Sequence, residues 1–486
     1  MRLLIILLLS PLFLFSQTQI GNDIEGLVAG DNSGFSVSIS SDGKIVAIGS
    51  PSHEGNNIGQ VRVFENVNND WIQLGNTIIG ENPEDHFGSS VSLSADGSII
   101  AIGAPDNEES LELVGYVRIY ENINDFWTQI GDTLYGEAEF IDSEFGWRTN
   151  FSFGRSVSVS DDGSILAIAE DLGGTFEANY SVPGNIYMYE NIAGTWTQID
   201  EVINTGISNL REISLSGDGS VVAISGDGNY DLFWGVYFGH VKVYNNTSRA
   251  WTQLGDTFSG IINLPDGGFV FDFIGGVSLN THGSILAIGG RLSRVFQNIN
   301  NLWVQEGQDI ENENYYRGDH IRLSGDGTMF SLTNYFNPID QYVARIYKNY
   351  SSTWTQIGND VMDNEVAIYS TEISSDGTTL VIGMPYSDNN DIDDGHARVY
   401  DLSAVLSTND YNFSQFSMYP NPAKNQFTIE LSDNLELKSI SIYNNLGQFV
   451  SSTSKHSTDV SNLSSGIYFV EVITNKGKST KKLVIE

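Results

Sequence analysis

The chain has 486 residues, 40% of them hydrophobic, and no cysteine, so it can fill a large core but has no disulfide or thiol chemistry. Its formal charge of −38 repels nucleic-acid phosphates and anionic lipid, which excludes both as expected partners. From residue 415 onward lysines and acidic residues nearly balance, so the excess sits entirely in the preceding part.

Met1-Arg2, the apolar run Leu3 to Phe15 and Ser16-Gln17 read as a secretory signal over residues 1–16. The run is too short for a membrane span, and no later stretch approaches the ~20 apolar residues that a span needs. Without cysteine, no lipid-modified cysteine can follow the signal.

Residues 17–401 repeat one unit seven times, at roughly 55 residues each. Its hairpin turn falls at Asp42-Gly43, Asp96-Gly97, Asp162-Gly163, Asp218-Gly219, His282-Gly283, Asp326-Gly327 and Asp376-Gly377. In the second copy, strand a (Val91-Ser92-Leu93-Ser94) alternates apolar and small polar residues. Asp96-Gly97 turns it into strand b (Ile99 to Ile102), apolar on both faces and so suited to burial between sheets. Strand c (Val117 to Tyr120) alternates again, and Trp127-Thr128-Gln129-Ile130 forms strand d.

The strand-d Trp occurs six times, at Trp71, Trp127, Trp196, Trp251, Trp303 and Trp354, and the seventh copy stops at Val399-Tyr400-Asp401. The missing segment opens the mature chain as Thr18-Gln19-Ile20-Gly21. That displacement predicts a ring: an all-β, seven-bladed β-propeller closed by its N-terminal strand. A linear β-solenoid, the rival, would not need it.

Phe87-Gly88 at the start and Gly103-Ala104-Pro105 at the end of copy two resemble the FG-GAP repeats of integrin α-subunits. Phe153-Gly154 and Gly383-Met384-Pro385 repeat the pattern loosely, and the Ser-x-Asp-Gly hairpins are also similar to the WD40-like repeats of bacterial periplasmic propellers. The FG-GAP resemblance implies calcium in the a–b loops, and these residues argue against it. Ser94-Ala95-Asp96-Gly97 has one carboxylate, whereas calcium takes six to eight oxygens. Asp388 to Gly395 is richer but puts Ile392 at a ligand position, so it reads as a solvated acidic loop. No metal or cofactor is expected.

The seven histidines are scattered, and no nucleophile elbow, phosphate loop or zinc-protease motif is present, so no catalytic residue is assigned. Arg62, Arg118, Lys242, Arg294, Arg345 and Arg398 hold the middle of strand c, where pairing with nearby carboxylates is expected rather than a cationic ring for a ligand. The b–c and d–a loops share one face, and their lengths vary widely. Trp147, Tyr230, Trp234, Tyr237, Tyr315 and Tyr335 fall there and form the candidate ligand face, with packing of each loop on its own blade as the alternative.

Residues 402–414 read as a linker, and 415–486 as a small β-sandwich of alternating strands with Gly/Asn turns. Its elements are Tyr419-Pro420-Asn421-Pro422, Leu446-Gly447, Gly466-Ile467-Tyr468 and Lys481-Lys482-Leu483. In that order they closely resemble the type A C-terminal sorting domain of the type IX secretion system of Bacteroidetes. The resemblance implies engagement of that machinery and delivery, through the periplasm, outside the outer membrane. The expected function is an exported binding or adhesion module for an extracellular glycan or protein. A secreted carbohydrate-active enzyme and a purely structural surface protein are the alternatives.

Overall fold

The computed structural model describes residues 17–485, except 54–56, 106–114, 137–151, 173, 176–179, 182, 229–238, 264–268, 272–273, 312–319, 337–340, 363–366, 388–393, 407–415, 432–435, 445–448 and 475–476. The chain is all-β, and it divides into two compact units, Gln17–Leu402 and one containing Ser403–Glu486.

In the first unit seven sheets, among the described residues, share one antiparallel a–b–c–d plan. The second shows it plainly: Ser90–Leu93, Ile99–Ala104, Tyr116–Asn122 and Trp127–Gln129. Each a–b hairpin is held by its own side chains. Asp96 Oδ1 accepts from the Ser98 N–H at 2.9 Å and the Ser94 hydroxyl at 2.8 Å, while Ser94 Oγ accepts from the Ile99 N–H. Gly97 takes the positive φ (71°) that the turn requires. The fifth copy, which has His282 in place of Asp, recovers two of these bonds through Asn280 Oδ1.

The core lies between successive sheets rather than within any one. Ala47, Val61 and Val63 of the first sheet pack with Leu93, Ile100 and Ile102 of the second. Val46 and Ile48, on the other face of the first, pack with Val381, Ala397 and Val399 of the seventh. Strand b is therefore buried on both sides, as its unbroken apolar run requires.

The a–b turns hold one another. Ser41 N–H donates to Ala95 O, Ala95 to Asp161, Asp161 to Gly217, Gly217 to Thr281, Thr281 to Gly325 and Gly325 to Ser375, at 2.8–3.1 Å. The Asp376 N–H then returns to Ser41 O at 3.2 Å.

Strand d differs from its expected form. A glycine at positive φ (Gly75, Gly131, Gly255 or Gly307) breaks it, and a second short piece, such as Ile78–Ile79 or Leu134–Tyr135, pairs farther along strand c. The chain's first strands follow the same rule against His396–Asp401. Thr18 and Gln19 pair with Asp401 and Tyr400, Gly21 turns at φ 68°, and Ile24 and Glu25 pair with Ala397 and His396.

The C-terminal unit has a three-stranded sheet (Phe416–Tyr419, Gln426–Leu431, Ser457–Asp459) and a four-stranded one (Phe449–Thr453, Leu437–Asn444, Gly466–Thr474, Gly477–Ile485). Phe416, Phe427, Ile429, Ile440, Ile442, Val470, Val472 and Leu483 form their shared core. Among the described residues no helix is long and apolar enough to cross a membrane.

Candidate binding site at the mouth of the central cavity

The a strands of all seven sheets line one cavity of about 570 Å³, within the ~300–1,000 Å³ range usual for small-ligand sites. Strand a presents two small polar positions to it, six and four residues before the turn Asp (or His282). The inner position carries serine in five copies, and each hydroxyl accepts the next strand's backbone N–H. Leu93 donates to Ser38, Val159 to Ser92, Leu215 to Ser158, Leu279 to Ser214 and Leu323 to Ser278, at 2.9–3.1 Å.

Copies six and seven break the pattern with Arg322 and Glu372, and copies four and six put Glu212 and His320 at the outer position. These four side chains meet. Glu212 Oε2 accepts the Val277 N–H at 3.0 Å, as the serine at the equivalent position, Ser156, accepts that of Ile213. The other oxygen of Glu212 receives an Arg322 amino group and faces His320 Nδ1 at 3.6 Å. Arg322 Nε donates to Glu372 Oε2 at 2.7 Å, so one guanidinium bridges two carboxylates.

The electrostatics follow. Burial raises the Glu212 carboxyl, but Arg322 and His320 outweigh it and hold the pKa down to about 2. Glu372 is pushed up, by burial and by the Glu212 charge, against the pull of Arg322. Both carboxylates are hydrogen-bonded to the arginine between them.

Around the network lies the cavity mouth, at the end where strand a begins and strand b ends. Tyr369 lies 4.7 Å from Phe35 at a tilt of 32°, stands edge-on to Tyr386 at 6.0 Å and lies 6.0 Å from the His320 ring. Tyr386 is 48% exposed and Tyr369 37%, so these rings form an open platform. Across the cavity, on the third and fourth a strands, stand Arg155 and Arg211. Arg211 is held by Asp227 at 3.1 and 3.2 Å. Arg155 is exposed and has no hydrogen-bond or ion-pair partner among the described residues.

Of the residues expected to form the ligand face, Trp147, Tyr230, Trp234, Tyr237 and Tyr315 lie outside the described residues. Tyr335 lies in the strand Met329–Phe336, its backbone paired with Tyr342. Asp388 to Asp393 of the acidic loop also lie outside. The aromatics of the mouth share the expected face but were missed, because Phe35, Tyr369 and Tyr386 stand beside the strands rather than in long loops. The charged four could have been found as departures from the serine pattern.

The strand-c cations make no cationic ring. Arg398 clamps Asp23 at 2.6 and 2.7 Å, Arg345 clamps Asp360, Arg118 meets Glu81 and Thr133, and Lys242 meets the Thr205 carbonyl. Arg62 reaches the Glu25 carbonyl, and Arg294 lies over the Phe296 ring.

In the C-terminal unit the Asn421 side chain bonds the final strand on both sides: Nδ2 donates to Lys482 O at 2.7 Å and Oδ1 accepts from the Val484 N–H at 2.9 Å. Lys481 reaches the Phe416 carbonyl over its ring, and Tyr468 donates to Ser464 O. The Tyr-Pro-Asn-Pro and Lys-Lys-Leu elements thus form one structure, and Gly466 pairs with Ile485 at its edge. Gly447 lies outside the described residues. Residues 417–486 match the family model of the secretion system C-terminal sorting domain. This unit is a sorting domain. It directs the chain through the type IX secretion system to the cell surface or the extracellular space.

Two further likenesses were found. Over 137 residues the chain is 31% identical to ulvan lyase NLR42 of Nonlabens ulvanivorans, spanning 26% of this chain and about a quarter (24%) of that protein. A chain in the crystal structure of the mitotic checkpoint complex superposes with a TM-score of 0.50 at 15% identity, covering 82% of this chain and 98% of that one. That likeness concerns fold alone, a β-propeller-like arrangement.

Proposed function

We propose that residues 17–401 are a seven-bladed β-propeller of FG-GAP-like repeats, closed by its own N-terminal strands, that works outside the cell as a binding module. Residues 1–16 are its signal peptide, 402–414 the linker and 415–486 the sorting module. The return of the turn circuit from Asp376 to Ser41, and the packing of Val46 and Ile48 on Val381 and Val399, support closure. The approach of Gly88 to Gly49, where a Cβ would lie 2.1 Å from the Gly88 carbonyl oxygen, supports the FG-GAP reading.

The observation that carries the binding function is the open aromatic platform of Phe35, Tyr369 and Tyr386 at the mouth of a polar cavity. Such rings offer stacking area at low entropic cost, and the cavity is large enough for the end of a chain or a loop. Glu212, Arg322 and Glu372 are paired with one another, which makes that part of the wall fixed. A secreted carbohydrate-active enzyme is the second reading, favoured by the opposite pKa directions of Glu212 and Glu372 and by the short match to an ulvan lyase. Binding and turnover measured together on a panel of polysaccharides separate the two. Saturable binding without product, abolished by Tyr386→Ala, is expected; product formation lost in Glu212→Gln would favour the enzyme.

A further inference from the structure

The cavity wall is short of acceptors and rich in donors. Ser38, Ser92, Ser158, Ser214 and Ser278 each spend their oxygen on a neighbouring backbone N–H, and among the described residues their own O–H protons have no acceptor. Glu212 has both oxygens taken, by the Val277 N–H and by Arg322, and Glu372 gives one oxygen to Arg322. The lining carries three arginines, Arg155, Arg211 and Arg322, against two glutamates, an inversion of sign within a chain of net charge −38. Among the described residues Arg155 is the lining arginine without a hydrogen-bond or ion-pair partner, and it stands across the cavity from Tyr369 and Tyr386.

A donor-lined pocket favours a ligand made of acceptors. A free guanidinium favours an anionic group, and it offers a carboxylate or a sulfate two parallel N–H bonds. Open tyrosine rings on the far side favour a flat, C–H-bearing ring face. We propose that this cavity takes the end of an acidic saccharide, its carboxylate or sulfate held by Arg155 and a sugar ring lying on Tyr386, the more exposed of the two tyrosines, with Tyr369 edge-on beside it. The inference rests on the reading of the cavity as a ligand site. The acidic exterior opposes such a ligand at long range, but salt at about 0.1 M screens that field beyond ~10 Å while leaving the contact at Arg155.

The test is calorimetry on the purified full chain with four probes: trigalacturonate, a sulfated galactotriose, neutral galactotriose and hexaglutamate. One of the two acidic saccharides should bind, and which one does identifies the anionic group. Arg155→Gln should weaken that binding about tenfold or more, and Tyr386→Ala should weaken it independently. Neutral galactotriose bound as tightly as the acidic ones, with Arg155→Gln changing neither, would overturn the acidic ligand and leave the cavity as the site. Binding of hexaglutamate alone would overturn the saccharide. Saccharide binding untouched by the Arg155→Gln, Tyr386→Ala double variant would overturn the cavity itself.

Discussion

The indole N–H of Trp71 donates to the carbonyl of Ile20 at 2.9 Å. Trp127 makes the same bond to Leu74, Trp303 to Leu254 and Trp354 to Glu306, each across to the preceding strand d. Ile20 therefore occupies, on the first strand of the chain, the place that Leu74 holds on the fourth strand of the first repeat.

Deleting Gln17 to Gly26 should leave His396–Asp401 as an unpaired edge, strip Arg398 of Asp23 and orphan the Trp71 indole. A lower melting temperature and concentration-dependent association are expected in scanning calorimetry and size-exclusion chromatography. An unchanged melting temperature in a monomeric truncation would overturn closure by this strand. The milder Trp71→Phe should cost about 1 kcal/mol, one hydrogen bond with the ring retained.

Glu212→Gln should destabilise the first unit by about 3 kcal/mol at neutral pH, because Arg322 loses the buried one of its two counter-charges. The sign with pH is fixed by the lowered pKa. A carboxyl held near about 2 in the folded chain, against an ordinary 4.5, contributes its full stabilisation above pH 4.5 and loses it as pH falls toward 2. Urea titrations should show a gap between wild type and variant that is constant from pH 7 to about 5 and closes below it.

Calcium should not matter to the first unit. The a–b loops carry at most two carboxylates and spend the turn Asp on the hairpin, as Asp96 does on Ser94 and Ser98, which is too few oxygens for a calcium cage. Melting with excess chelator and with added Ca²⁺ should coincide. A chelator-sensitive transition would redirect attention to Asp388 to Asp394.

Removing residues 415–486 should strand the remainder in the periplasm of a native host, while the intact chain reaches the outside. Asn421→Ala should weaken delivery too, since that side chain ties the Pro-flanked turn to the last strand through Lys482 and Val484. Fractionation with an antibody against the first unit reads both. Efficient export of the deletion would sink the role of this segment.

The repeat and its hairpins were legible in the sequence because each rests on local chemistry. Asp-Gly and the flanking Ser close a turn with bonds spanning only two to five residues, and apolar alternation sets which face of a strand is buried. The missing Trp-x-Gln element in the last copy and its stray counterpart at Thr18 to Gly21 follow from counting alone. The break in strand d was less legible, since Gly75 or Gly131 reads as a strand end as readily as a bend within one.

Which charges meet was decided by the tertiary structure. Glu212, Arg322 and Glu372 belong to the fourth, sixth and seventh copies, and only the curvature of the assembled sheets brings their a strands around one cavity. In the sequence they are three exceptions to a serine pattern, with nothing to say that the exceptions converge. Phe35, Tyr369 and Tyr386 likewise became a platform through the approach of the first sheet to the seventh, at opposite ends of the repeat. Local rules specify each sheet, because hairpins and burial patterns act over a few residues. The site depends on how those sheets are arranged, because its parts come from separate repeats of the chain.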